Sequence, residues 1–77
     1  MWAEENNTIS KEFEFPDFKS ALNFVNKIGE LAEKMNHHPE VELDWGRVKI
    51  SLTTHSAGKI TDKDHLLAKQ IDQLSPR

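Results

Sequence analysis

The sequence predicts an α+β fold: a two-layer sandwich of an antiparallel sheet of three or four strands with two helices on one face. Three observations carry this expectation. Residues Thr8 to Phe15 alternate apolar and polar side chains, the period of a half-buried strand. Two longer stretches, from Asp17 and from Thr61, instead repeat apolar residues at steps of three and four, as one face of a helix does. Between them, Val41, Leu43 and Trp45 and then Val48, Ile50 and Leu52 alternate with polar residues on either side of Gly46-Arg47, the pattern of a hairpin. Strands with one apolar face and helices with one apolar stripe bury both only by packing layer on layer.

Taken in order, Ile9, Lys11, Phe13 and Phe15 share one side of the first strand, and Asn6-Asn7 can turn it back onto a short partner at Trp2 to Glu5. The first helix is expected to start at Asp17, which can cap it. Its stripe is Phe18, Ala21, Leu22, Val25, Ile28, Leu31, Ala32 and Met35, and it exits at Asn36, because Pro39 disfavours helix in the residue before it. Glycine at the first position of the Gly46-Arg47 loop suits a type II′ turn, which places Trp45 opposite Val48, Leu43 opposite Ile50 and Val41 opposite Leu52. Extended by the same register, His38 falls opposite His55. After Ser56-Ala57-Gly58, Thr61 and Asp64 form a capping box that opens a helix carrying Leu67, Ala68, Ile71 and Leu74, stopped by Ser75-Pro76-Arg77.

The chain of 77 residues holds a single domain, residues 1–77, since its apolar content fills only one core. Leu, Ile, Val and Phe supply about a quarter of the residues, above the range of disordered chains. So small a core without a disulfide leads us to expect self-association as a homodimer or homotetramer. No apolar run approaches the roughly 20 residues of a membrane span. The N-terminus lacks the basic and apolar regions of a secretory signal, so the expected compartment is the cytoplasm. With no cysteine, thiol catalysis, zinc fingers and iron–sulfur ligation are excluded, and a net charge of -3 argues against nucleic acid as partner.

Chemistry therefore rests on histidines and carboxylates. Of the four histidines, His37 and His38 precede the hairpin and His55 follows it, where element ends carry function. Imidazoles titrating near neutrality can donate and accept protons. Alternatively, three imidazoles with Glu33, Asp62 or Asp64 could ligate a transition metal. Neighbouring side chains of an extended segment point oppositely, which disfavours His37 and His38 on one ion.

The run Glu33-Lys34-Met35-Asn36-His37-His38-Pro39, followed by Trp45, Val48, Ile50, Leu52, Thr54-His55, Thr61 and Asp64, resembles the signature of pterin-4a-carbinolamine dehydratases, without a gap from Glu33 to Asp64. Phe13, Phe15, Phe18 and Phe24 resemble the family's Phe-rich strand and following helix, so the likeness covers nearly the whole chain. A double histidine before proline together with a Thr-His at that distance is a specific combination. The resemblance implies removal of water from a 4a-hydroxytetrahydropterin, the product left by aromatic amino acid hydroxylases such as the biopterin form, to give quinonoid dihydropterin, with no metal or organic cofactor. By the same resemblance His37, His38 and His55 line the site. His37 and His55 are assigned to acid and base work, His38 to orienting the substrate, and Glu33 and Asp64 to binding substrate or tuning an imidazole.

Plainer readings stand beside these. Asp64 already has a structural reason in the capping box, His65 is expected to pack under Ile60, and the Phe and Trp side chains are expected in the core, with Trp45 capping the hairpin. Two departures from the family pattern are expected to matter: the N-terminal helix of typical members is not represented, and Lys59 stands where the family has glycine, at a cost of about 1 kcal/mol if the backbone there is left-handed. The alternative function is a non-catalytic protein-binding module, since animal members of that family also serve as dimerisation partners of a transcription factor.

Overall fold

A computed structural model describes residues 1–75. The elements run β1 (Ala3–Glu5), β2 (Thr8–Glu14), α1 (Phe18–Met35), β3 (Glu40–Asp44), β4 (Arg47–Leu52) and α2 (Asp62–Leu74). All sheet pairings are antiparallel, in the spatial order β1-β2-β4-β3. This is the predicted α+β architecture with four strands. Asn6 and Asn7 both take positive φ, 54° and 60°, the conformation a tight two-residue hairpin turn requires and asparagine tolerates. Ser75 ends α2, and the rest of the expected Ser75-Pro76-Arg77 stop lies outside the described residues.

Asp17 caps α1 as expected, its Oδ1 accepting from the Ser20 N–H at 2.8 Å. The expected stripe holds along most of the helix, with Val25, Leu31 and Met35 packed against the core, but Phe24 joins it in place of Phe18 and Leu22. Ala21, Phe24, Ile28 and Ala32 are buried, whereas Phe18 and Leu22 remain 46% and 38% exposed. The reason is aromatic: Phe24 sits between Phe13 and Phe15, with ring centroids 4.9 and 5.0 Å away, and this fixes which face meets the sheet. Ile9, Val48, Ile50 and Leu52 complete the sheet side of the core, and Leu67, Ala68 and Ile71 the α2 side. Lys11, which alternates onto this face, is only half-buried, and its ammonium reaches Asp72 of α2 at 2.8 Å.

The second hairpin corrects the predicted register. Its loop is Trp45-Gly46, with Asp44 opposite Arg47, Leu43 opposite Val48 and Val41 opposite Ile50. The shift is two residues, so every apolar side chain keeps its face. Gly46 does not take a positive φ. Its need is for space: the Phe15 N–H donates to the Gly46 carbonyl at 2.8 Å, and a Cβ on Gly46 would stand 2.8 Å from the Phe15 carbonyl oxygen. Gly46→Ala is therefore expected to destabilise the fold by about 1–3 kcal/mol, read as a lower urea midpoint with unchanged m. Trp45, placed in the turn, is 69% exposed rather than core. Trp2 packs edge-on against Phe13 and donates its indole N–H to Asp72 at 3.0 Å.

Candidate active site

Two chain reversals bring the histidines together. At the end of α1, Asn36 adopts the left-handed conformation, φ 52°, and the His37 N–H returns to the Ala32 carbonyl at 3.1 Å. The chain then leaves the helix at His37 and enters β3 through His38 and Pro39. After β4, Thr54 to Lys59 close a tight loop in which Gly58 takes φ 68° and its N–H reaches the Thr54 carbonyl at 2.9 Å. Lys59 forms an isolated antiparallel bridge with Thr54 and has no positive φ, so the strain considered for it does not arise. In the observed register the residue opposite His38 is Thr53, not His55. Even so, His37, His38, Thr53, Thr54 and His55 line one cavity of about 250 Å³, joined by Asn36, Ser56 and Lys63.

Asp64 anchors this end of the sheet. It is fully buried in the first turn of α2, and three donors converge on its carboxylate: His37 Nε2 at 2.6 Å, the Thr54 hydroxyl at 2.7 Å and the Thr61 N–H at 2.9 Å. The Thr54 oxygen is itself 2.7 Å from the Thr61 hydroxyl, which donates to it because the Thr54 proton is spent on Asp64. Burial pushes the Asp64 pKa up, but the bonds from His37, the Thr61 amide and Thr54 outweigh it and hold the carboxyl below the ordinary carboxylate range. An ionised Asp64 accepts only, so His37 must carry its proton on Nε2, leaving Nδ1 for proton exchange.

His38 meets a carboxylate of its own. Its Nε2 lies 2.6 Å from Glu33 Oε2, and both side chains are exposed. The two imidazoles are committed to different carboxylates while both line the same cavity. No group of three His, Asp or Glu side chains suited to holding a metal ion occurs among the described residues. His55 is exposed at the loop. His65 is also exposed; it borders a separate groove with Trp2, Ile9 and Asp72 instead of lying under Ile60.

The structure therefore brings His37, His38 and His55 to one cavity and places Asp64 behind His37, with no surface of its own toward the cavity. Glu33 meets the site only through His38. Lys63 was missed by sequence reasoning. Its position one residue before the capping-box carboxylate was the available signal, but α2's orientation decides that it lines the pocket.

A carboxylate-held imidazole beside two further imidazoles, in a pocket at the end of an α+β sandwich, is an arrangement with the groups needed to exchange protons with a small molecule. Residues 1–74 match the family model described as pterin 4 alpha carbinolamine dehydratase, and the chain belongs to that family. A relative from Sulfurisphaera tokodaii, provisionally named a pterin-4-alpha-carbinolamine dehydratase, is 52% identical over 95% of this chain and 78% of its own length. One from Roseiflexus sp. with the same provisional name is 47% identical over the same shares. Among solved structures, a protein from Brucella melitensis described as a transcriptional coactivator/pterin dehydratase superposes with a TM-score of 0.90 at 30% identity, over 99% of this chain and 81% of that one. A pterin dehydratase-like RuBisCO assembly factor of the alpha-carboxysome shares the fold, with a TM-score of 0.79 at 18% identity over 97% and 87% of the two chains.

Proposed function

We propose that the protein dehydrates 4a-hydroxytetrahydropterins, and that the His37–Asp64 pair on the wall of the three-histidine pocket carries this reading. The reaction breaks the C4a–O bond, forms an N5=C4a double bond from the N5–H electron pair, and releases water. His37, its tautomer fixed by Asp64, accepts the N5 proton through Nδ1, and the buried carboxylate balances the imidazolium that results. His55 in its protonated form gives a proton to the departing hydroxyl. Solvent then returns the proton from His37 to His55, so the cycle closes without a net change in the enzyme. His38, braced by Glu33, orients the ring, and Lys63 offers a cation to the ring carbonyl next to C4a. Neither a metal nor an organic cofactor has a step to perform, and turnover that survives chelator treatment checks this.

The test is the rate of loss of freshly generated 4a-hydroxytetrahydropterin, followed by ultraviolet absorbance with and without the protein. Acceleration that disappears in a folded His37/His38/His55→Ala triple variant is the expected result. A well-folded wild-type chain without acceleration would count against the enzyme. A second reading, a protein-binding module, draws support from the coactivator description of the Brucella relative and from the exposed Phe18 and Leu22 of α1. A pull-down lost on Phe18→Ser but kept in His37→Ala would favour it. We further expect an even-numbered homo-oligomer in the cytoplasm, because β1 and β3 leave two open sheet edges. Light scattering that reports a monomer at micromolar concentration speaks against the oligomer. No helix among the described residues is long and apolar enough to cross a membrane.

A further inference from the structure

Thr54 stands at the centre of the bonds behind His37, and the proton chemistry gives it no part. Its backbone is held on both sides: its N–H donates to the Lys59 carbonyl at 3.2 Å, and its own carbonyl accepts from the Ala57 and Gly58 N–H groups at 3.1 and 2.9 Å. The side chain is buried and bonded to α2, so the residue next to His55 reaches the carboxylate that holds His37.

The two oxygens of that carboxylate are divided. Asp64 Oδ2 accepts from the Thr54 hydroxyl and from the Thr61 N–H, whereas Oδ1 is left to His37 Nε2. With Oδ2 held from two directions, the carboxylate plane is fixed and Oδ1 is aimed at the imidazole. The Thr61 hydroxyl, donating to the Thr54 oxygen, polarises the Thr54 O–H further. Each bond to Oδ2 also spreads the negative charge that His37 meets.

We propose that Thr54 is a positioning residue for proton transfer: its hydroxyl fixes the Asp64 carboxylate and tempers its charge, so that His37 is held in one tautomer without being locked as an imidazolium. The catalytic consequence rests on the dehydratase reading. A carboxylate without this donor would hold the imidazolium form more tightly, and a base already protonated accepts nothing from N5. The other titratable groups around His37 are Lys63 from α2, His38 from the turn into β3 and His55 from the loop after β4, with Glu33 of α1 behind His38. None of these side chains bonds to the Thr54 hydroxyl, whose partners are Asp64 and Thr61, so its removal reaches His37 through Asp64.

The experiment measures the pH profile of kcat/KM for 4a-hydroxytetrahydropterin dehydration by wild type, Thr54→Val and Thr54→Ser, and follows the nitrogen NMR signals of the His37 ring over the same pH range. Valine keeps the volume and deletes the donor, whereas serine keeps the donor. Thr54→Val should move the acid limb of the profile up by about half a pH unit, a loss of about threefold on the acid side, and the His37 signals should move with it. Thr54→Ser should restore the wild-type profile. Asp64→Asn, which deletes the charge itself, should move the limb the opposite way. Thermal melts report that each variant folds. If Thr54→Val does not, Thr61→Ala takes its place: it leaves the Thr54–Asp64 bond and removes only its polarisation, so the limb should move up by less, and an unmoved limb there would overturn the proposal. A folded Thr54→Val chain that is slower by one factor at every pH would make Thr54 purely structural and overturn it too, as would a limb that moves down. Wild type without turnover would overturn the dehydratase reading, while the His37 signals still decide whether Thr54 acts on the pair.

Discussion

Asp64→Asn is expected to lower turnover by about 10²–10⁴-fold in a chain that still folds. Asparagine keeps the volume and part of the hydrogen bonding, so the Thr54 and Thr61 contacts of the buried carboxylate are partly retained. What disappears is an acceptor-only group 2.6 Å from His37 Nε2, and with it the fixed tautomer and the charge that balances an imidazolium. A purely structural role would leave the pH dependence of the rate unmoved, so the profile of kcat/KM separates the two. Asp64→Ala goes further. It strands His37, Thr54 and the Thr61 N–H around an empty buried site, at an expected cost of about 3–5 kcal/mol, measurable by urea denaturation. The sign of the pH effect follows from the depressed pKa of Asp64 in the folded chain. Its stabilisation is complete above the unfolded value of about 3.9 and is lost as pH falls through the lower folded value. Wild type should therefore lose stability on acidification below about pH 4, and Asp64→Asn should lose less over that range.

His55→Ala is expected to lower kcat by about 10²-fold or more, because the proton delivered to the leaving hydroxyl then comes from water. The residue is exposed and lies outside the helices and strands, so its removal should leave the melting temperature nearly unchanged. The loss should concentrate in kcat. A rise in KM alone would make His55 a binding group, and full activity would remove it from the mechanism. Imidazole added to the buffer should restore part of the rate if the missing function is a proton donor.

Periodicity was enough for the elements, because burial imposes it on each segment separately. The strand at Thr8, the cap at Asp17, the exit at Asn36 and the box between Thr61 and Asp64 all depend on residues a few positions apart, and all stand where the pattern put them. Long-range contact overrode the pattern at Phe24 and at the Gly46 turn. The helix stripe included Phe18 and Leu22 because they are apolar, but Phe13 on β2 and Phe15 just after it select Phe24. Turn chemistry read glycine as a source of unusual φ, whereas Gly46 is required by the approach of the Phe15 backbone, 31 positions earlier.

The site divides the same way. The sequence by itself determined the α+β class and the position of the three histidines at element ends, since both follow from patterns a few residues long. Only the tertiary structure decided that His37 reaches Asp64, 27 positions away, that Thr54 and Thr61 complete that carboxylate's shell, and that Lys63 lines the histidine pocket. The physical reason is that a local pattern constrains which way a side chain faces, whereas the partner it meets there depends on how α2 docks against the end of β4. That docking is set by the packing of Leu67, Ala68 and Ile71 into a core assembled from every other layer of the chain.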